Sequence, residues 1–432
     1  MAEGREIRVN VPLLARVEGE GALEFTVRDG EIRDMKLRIF EPPRMFEKLL
    51  EGRPFHEVPD IVARICGICP VAYQMSAVQA LEAAFGVEVN DWILAMRRAM
   101  YCGEWIQSHA LHVHLLAAPD FLGVNSVIEM AKNHGTEVRR GLALQALGNE
   151  LIRLFGGRSV HPVGAKVGGF HRAPDREMVK RLADRLRAAL PDAEALVKWI
   201  ASITPRGKEQ AYPLVSLRHA DEYPMYRGRI VSSDSLDISR EQYDEHFRET
   251  QVPHSTALHC LLHGQPYLVG PLARLALNRD CLPQPVRDAL DSAGVRMPVR
   301  DSFLGATARA AEIYFAMLEA LRILDNYELP AAADVPLTPR AGVGIGATEA
   351  PRGLLWHRYE TDAEGRILAA RIVPPTSQNQ ARIEDDLRLS LQDYGLDRSD
   401  DELRQMGEMV IRNYDPCISC ATHFLDLRVD RG

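Results

Sequence analysis

Two cysteine pairs, one near each end of this 432-residue chain, constrain its fold more than any other feature. The front pair lies in Arg64-Ile65-Cys66-Gly67-Ile68-Cys69-Pro70 and the rear pair in Asp415-Pro416-Cys417-Ile418-Ser419-Cys420-Ala421-Thr422-His423. A CxxC places two thiolates close enough to share one soft metal ion, and two such pairs make a four-sulfur site. If the pairs meet, nearly everything between them is a scaffold that returns the chain to its own start.

The composition supports a large buried core, with 46% hydrophobic and 26% charged residues, and the length alone allows more than one domain. The net charge of −8 and the lack of a long basic run exclude nucleic acid as an expected partner. Seven cysteines are too few to staple a chain of this size. Cys102, Cys260 and Cys281 are scattered, which fits a reducing compartment. The start, Met1-Ala2-Glu3-Gly4-Arg5-Glu6, lacks the apolar run of a signal peptide. No apolar stretch reaches the roughly 20 residues of a membrane span. A cytoplasmic protein without a membrane span is expected.

Hydrophobic periodicity sets the fold class. Leu23, Phe25 and Val27 alternate with polar residues, Asp29-Gly30 offers a tight turn, and Ile32, Met35, Leu37 and Ile39 follow, which predicts a hairpin. A second hairpin is expected from about 354 to 373, turning near 362–365. Between them the pattern is helical. Asn90-Asp91 caps a segment that should end before Pro119, and helices are predicted over 127–155, 176–203 and 304–326. No composition shift marks a boundary. The expectation is one mostly α unit over 1–432 with small peripheral antiparallel β-sheets (α+β), comprising a β region at about 7–40, a central helical bundle, a second β region at about 340–375 and a metal-ligand segment at 411–423.

For the thiolates, three chemistries compete: structural zinc, a redox dithiol, and a catalytic centre of softer metals in which two cysteines bridge two ions. The neighbours bear on the choice. Arg16-Val17-Glu18-Gly19 places a carboxylate near the start, Ala350-Pro351-Arg352-Gly353 places an arginine after a proline, and Asp415-Pro416 leads directly into Cys417. A structural zinc site gains nothing from these groups.

Together these motifs resemble the large, catalytic subunit of nickel–iron hydrogenases, in the family's order and over almost all of the chain. They are RxEG (Arg16 to Gly19), RxCGxC (Arg64 to Cys69), GGRxxHP with a later GG (Gly156 to Gly169), PRG (Pro351 to Gly353), PPTSQN (Pro374 to Asn379) and DPCxxCxxH (Asp415 to His423). The resemblance implies a nickel–iron hydrogenase large-subunit-like fold and reversible heterolytic oxidation of dihydrogen. It implies that Cys66 and Cys417 are terminal nickel ligands and that Cys69 and Cys420 bridge nickel and iron. The iron would carry one carbon monoxide and two cyanides. Arg352 would form a canopy with Asp120 and Asp415, and Pro351, Arg352 and Thr376 would contact the diatomic ligands. Glu18 would take the first proton from Cys417. Glu47, the carbonyl of Ile372 and the imidazole of His423 would hold magnesium or a similar ion.

Taken singly, each residue has a plainer reading. Glu18 pairs with Arg16 in solvent, Asp120 caps a helix, Glu47 pairs with Lys48 or Arg44, and Arg352 decorates a turn. His109, His112 and His114 read as packing residues on one long helix. The motif order sets the functional reading above these. In one departure Tyr73 stands where many members carry histidine, which alters a hydrogen bond offered to a cysteine sulfur.

The resemblance also implies partners. Four of seven cysteines are assigned, so an iron–sulfur relay must sit in a small subunit. The wording of the cysteine motifs is most similar to the cytoplasmic bidirectional group, which works with flavin and NAD(P)-binding subunits and additional iron–sulfur subunits; some members reduce sulfur and are called sulfhydrogenases. Metal-insertion proteins would build the centre, and a maturation endopeptidase would remove 424–432 after His423. Two alternatives remain at this point: a non-catalytic relative of a complex I subunit, and a zinc-stabilised scaffold.

Overall fold

The structure, a computed structural model, describes residues 7–422. The chain opens with a three-stranded antiparallel sheet in sequential order, Ile7–Val11, Gly21–Arg28 and Glu31–Ile39. Its predicted turn is formed by Asp29 and Gly30, both at positive φ (55° and 73°). Asp and Gly tolerate this conformation, and it matches the twist of the flanking strands. Leu23, Phe25, Val27, Met35, Leu37 and Ile39 are all buried, as alternation requires of a sheet with one covered face.

Long helices fill the middle. The Asp91–Leu111 helix starts where the sequence predicts, with the Asn90 side chain accepting from the Ile93 N–H at 3.0 Å. It does not stop before Pro119. It widens into a π-helical turn, His112–Ala117, and continues as Ala118–Phe121. That register leaves Pro119 in the first turn of the last piece, where a missing N–H costs little. The predicted 127–155 helix divides at His134-Gly135 into Val127–Asn133 and Gly135–Gly156. Arg176–Ile203 forms as expected, capped by Asp175, and Gly305–Asp325 completes the group.

The sheets depart from expectation in two ways. A four-stranded sheet (Leu268–Val269, Leu214–Arg218, Arg229–Ser232, Asp237–Ile238) contains one parallel pairing, between Leu268–Val269 and Leu214–Arg218. Its strands are too short for periodicity to reveal. The second predicted hairpin is real, Gly353–Thr361 with Ile367–Val373, but a preceding strand, Gly342–Ala350, makes it a three-stranded sheet. That sheet is internal rather than peripheral. Thr348, Glu349, Leu354, Leu355 and Trp356 are fully buried.

The reason is close contact with the Pro70–Phe85 helix. A Cβ at Gly344 would stand 1.9 Å from the Ala80 carbonyl oxygen, and one at Gly346 2.1 Å from that of Ser76. Backbone thus meets backbone, and Ser76 Oγ and Thr348 Oγ1 share a hydrogen bond of 2.6 Å. This contact fixes the sheet's Pro351-Arg352 turn relative to Cys69, which begins that helix. The helices Pro375–Tyr394, Asp400–Asn413 and Ile418–Ala421 then bring the chain back to its start.

Gly344→Ala is expected to lower stability by about 1–3 kcal/mol through overpacking, read as a lower thermal unfolding midpoint; an unchanged midpoint would show that strand and helix separate freely.

Candidate metal centre

Each cysteine pair is shaped locally before the two meet. Cys66 leaves a short 3-10 turn, Ala63–Ile65, in extended conformation, and Cys69 is the N-cap of the Pro70–Phe85 helix with Pro70 in its first turn. The N–H groups of Ile68 and Cys69 both donate to Cys66 Sγ, at 3.3 and 3.4 Å. In the rear motif Asp415 adopts positive φ (56°). Aspartate is among the few side chains that accept this conformation, and it turns Cys417 inward. Cys420 N–H then donates to the Cys417 carbonyl at 3.1 Å.

The two pairs converge. Cys66 Sγ lies 3.3 Å from Cys417 Sγ, Cys69 Sγ 3.7 Å from Cys420 Sγ, and Cys417 Sγ 2.6 Å from Cys420 Sγ. All four sulfurs fall within 4.8 Å of one another, and all four residues are buried. Such thiols cannot all ionise in one pocket without compensating positive charge. The Cys66 thiol is held well below its ordinary range, first by hydrogen bonds from Cys417, Cys420 and Cys69, with Arg352 adding to the effect. Burial pushes Cys417 and Cys420 up. A soft divalent cation resolves this conflict, so the donor set fits a thiolate-bound metal centre.

The front loop supplies the carboxylate. Cys417 Sγ donates to Glu18 Oε2 at 3.1 Å, and Ser419 N–H donates to the same oxygen at 3.1 Å. The Glu18 carbonyl accepts from Ile418 N–H at 2.9 Å, so the two segments pair like strands. Burial raises the Glu18 pKa, and the charge on Cys66 raises it further. The solvated pairing of Glu18 with Arg16 does not occur: Arg16 bonds Asp120 and the Leu116 carbonyl instead.

Arg352 occupies the sharp turn between two strands, made possible by Gly353 at φ 132°, where a Cβ would strike Val269 and the Gly270 backbone. Its Nε donates to the Asp415 carbonyl at 2.7 Å, its Nη2 pairs with Asp415 Oδ1 at 2.9 Å, and its Nη1 points to Ser108 Oγ at 3.5 Å. Burial alone would lower its pKa. Asp415, then Cys417, Cys69 and Cys66, more than offset this and raise it well above the ordinary value. The guanidinium is a fixed cation beside the sulfurs.

Asp120 makes no hydrogen bond to Arg352 among the described residues. Arg412 holds it through Nε at 2.6 Å and Nη2 at 3.0 Å, and Arg16 binds it from the front loop. Ser108 is the side chain of the Asp91–Leu111 helix that meets the Arg352 fork. Asp120 is clamped by two arginines from opposite ends of the chain, a pairing that no local sequence pattern reveals. Thr376 Oγ1 accepts from Cys417 N–H at 3.1 Å. The Pro351 carbonyl accepts from Arg274 Nη2 at 3.0 Å. Glu47 and Ile372 meet through the Ile372 N–H, which donates to Glu47 Oε1 at 2.6 Å, and burial pushes the Glu47 carboxyl up to about 7. His423 lies outside the described residues. Tyr73 is fully buried; burial and the neighbouring Cys420, Cys69 and Cys417 push its phenol well above the ordinary range. His109, His112 and His114 pack inside the protein, on Glu312, the Arg412 carbonyl and the Ala110 carbonyl respectively.

Several supporting residues carry no sequence signal. Arg44 Nη2 donates to the carbonyls of Ile65 (2.7 Å) and Ser419, and its N–H donates to the Thr422 carbonyl at 2.9 Å. One side chain therefore staples both cysteine loops. Glu104 accepts from Val71 and Ala72 N–H at 2.6 and 3.0 Å, capping the Cys69 helix from a neighbouring helix. Arg309 holds the carbonyls of Asn413 and Tyr414, each at 3.0 Å.

Comparison with known proteins places this pocket in context. The sequence pattern of the nickel-dependent hydrogenases matches residues 44–143 and 239–423. Sulfhydrogenase 1 subunit alpha of Pyrococcus furiosus is 32% identical over 428 residues, covering 97% of this chain and 98% of that protein. The NAD-reducing hydrogenase HoxS subunit beta of Cupriavidus necator is 28% identical, covering 95% and 94% respectively. Among solved structures, an NAD+-reducing NiFe hydrogenase in the H2-reduced state matches with a TM-score of 0.88 at 28% identity, covering 96% of this chain and 99% of that one. These similarities, with all four cysteines together, set aside the zinc scaffold and the complex I relative.

Arg44→Met should destabilise the protein by about 2–3 kcal/mol, since it removes charged hydrogen bonds to buried carbonyls, and should speed reaction of the buried thiols with a thiol reagent. Unchanged midpoint and thiol kinetics would mean that the two loops hold together without it.

Proposed function

We infer, because the chain belongs to the nickel-dependent hydrogenase family, that its sulfur pocket is the seat of dihydrogen chemistry and that the surrounding residues divide the work of moving its protons. The chain is the large, catalytic subunit of a hydrogenase, an oxidoreductase acting on hydrogen. The observation that carries the reading is the meeting of Cys66, Cys69, Cys417 and Cys420 beside Glu18 and Arg352.

The four cysteines would hold a nickel–iron centre, with Cys66 and Cys417 on nickel and Cys69 and Cys420 shared with iron. When bound, such a centre polarises dihydrogen and accepts its electrons. Cys417 Sγ is the first stop for the proton and Glu18 Oε2, 3.1 Å away, the second. The raised pKa of Glu18 suits this role, since a carboxyl poised to hold a proton also releases it. Arg352 stays protonated, so it orients and stabilises charge rather than accepting a proton. Asp415 and Ser108 fix its fork. The iron would carry one carbon monoxide and two cyanides, and Pro351, Arg352 and Thr376 are the residues that would contact them. Glu47, residue 372 and His423 would share magnesium or a similar ion.

Electrons would leave through an iron–sulfur small subunit and on through flavin and NAD(P)-binding and further iron–sulfur subunits, with sulfur as an alternative acceptor; the likeness to an NAD-reducing hydrogenase and to a sulfhydrogenase supports the two acceptors. Cys102 and Cys260 are buried singly and cannot extend a relay. A groove lined by Phe46, Leu49, Phe55, Ile61, Arg64 and Leu337 opens beside the Cys66 loop and is a natural seat for that subunit. The proposed site of action is the cytoplasm; among the described residues no helix is long and apolar enough to cross a membrane. Metal-insertion proteins and an endopeptidase acting after His423 would complete maturation, and the intact mass of loaded protein reads that cleavage.

Metal analysis of the purified complex should give one nickel per copy of this chain, with iron in excess from the cluster-bearing subunits, and infrared spectroscopy should show carbonyl and cyanide stretches; zinc in place of nickel, with no such stretches, would overturn the assignment. Glu18→Gln should cut turnover and proton exchange by about 100-fold or more with nickel and iron content unchanged. Normal turnover in that variant would remove Glu18 from the proton route.

A further inference from the structure

A second group of metal-ligating side chains lies apart from the sulfur pocket and shares no residue with it or with the proposed magnesium ligands. His254 sits in the turn before the His259–Leu262 strand, His259 begins that strand, and Glu384 projects from the Pro375–Tyr394 helix. One ligand atom from each lies within 4.8 Å of the other two. His254 Nε2 and Glu384 Oε1 are 2.8 Å apart, and the two imidazole rings meet edge to face at 5.9 Å.

A plain ion pair between His254 and Glu384 leaves His259 unexplained. His259 is only 4% exposed, and its Nε2 has no hydrogen-bond partner within the protein. A buried, unpaired imidazole nitrogen costs free energy and calls for a ligand. Burial lowers the His259 pKa to about 4, so the ring is neutral and its lone pair is free to coordinate. The surroundings are rigid. Leu37 N–H donates to Glu384 Oε1 at 2.9 Å, and Thr256 is bonded through both N–H and Oγ1 to the Ile39 carbonyl, at 2.8 and 3.1 Å. The side chains of His254 and Glu384 retain 20% and 18% exposure, enough to admit water as a further ligand.

We propose that His254, His259 and Glu384 form a second metal site that takes a zinc-class divalent ion. Two imidazoles and one carboxylate are the donor set of such ions, whereas magnesium and calcium prefer all-oxygen sites. Donor atoms around tetrahedral zinc stand about 3.3 Å apart, given Zn–N bonds of about 2.0–2.1 Å, so small side-chain rotations close the site. The ion would tie the 251–258 turn to the Pro375–Tyr394 helix and, through Leu37, to the N-terminal sheet. That helix carries Thr376, which bonds Cys417 N–H, so the site would brace the sulfur pocket from a distance.

The test uses the purified, nickel- and iron-loaded complex. Zinc(II) is added, excess is removed, and metals are counted in the wild type, His259→Ala and the shape-conserving Glu384→Gln. The wild type should retain one zinc per chain beyond its nickel and iron. The variants should bind it at least about tenfold to a hundredfold more weakly, with nickel and iron unchanged. Zinc should raise the unfolding midpoint of the wild type and not of the variants. Cobalt(II) should give a visible spectrum in the wild type that Glu384→Gln abolishes, which keeps the test decisive if His259→Ala fails to fold. Equal zinc in wild type and Glu384→Gln, an adventitious ion only, would overturn the proposal, as would no retained zinc in either. Both results leave the hydrogenase reading untouched.

Discussion

Everything in this protein answers to one electrostatic constraint: four thiols from opposite ends of the chain are held within 4.8 Å of one another in a buried pocket. Sulfur ligands can be gathered that tightly only where backbone and side chains supply positive charge, or a metal does. Arg352 provides fixed charge from one side, with Asp415 locking its fork. The N–H groups of Ile68 and Cys69 provide partial charge to Cys66 from another. Glu18 accepts the hydrogen bond that Cys417 donates. The constellation suits the cation and the moving proton of the proposed function.

Arginines do most of the holding. Arg44 and Arg309 direct their guanidinium groups at backbone carbonyls of the cysteine loops and the segments flanking them, and Arg412 grips Asp120, Glu408 and the Ala15 carbonyl of the front segment, which suits a planar donor fork in a dry interior. Behind Arg352, Arg274 spans Glu312 and Glu349 at 2.7 and 2.9 Å and also binds the carbonyls of Ala350 and Pro351. Burial alone would raise Glu312, but Arg274 and His109 hold it down to about 2, while Glu349 is pushed up to about 7 by burial. Such a network is worth little as net stability, because desolvation offsets much of the attraction. Its value is geometric: it fixes where the Pro351-Arg352 turn sits relative to the sulfurs.

Much of the local architecture was legible. The Asp29-Gly30 hairpin, the Asn90 cap and the helix opened by Asp175 follow from turn chemistry and capping, which act over a few residues. The four cysteines, Glu18 and Arg352 were legible as a motif set. Other features were not. Asp120 and Ser108 lie on one continuous helical run, and nothing in their neighbours tells which of them meets Arg352. Glu104 looks like a surface carboxylate until the Cys69 helix end arrives against it. The parallel strand pair at Leu214 and Leu268 joins segments too short and too distant for periodicity to couple.

The sequence by itself determined which residues could form hairpins, capped helices and a thiolate cluster, because side-chain period, turn preference and ligand type are properties of a residue and its near neighbours. Only the tertiary structure decided that both cysteine loops would be stapled by Arg44, that Asp120 would be clamped by Arg16 and Arg412, and that His254, His259 and Glu384 would gather away from the sulfurs. Those outcomes depend on packing between segments hundreds of residues apart, where burial and long-range hydrogen bonding set the partner of each charge.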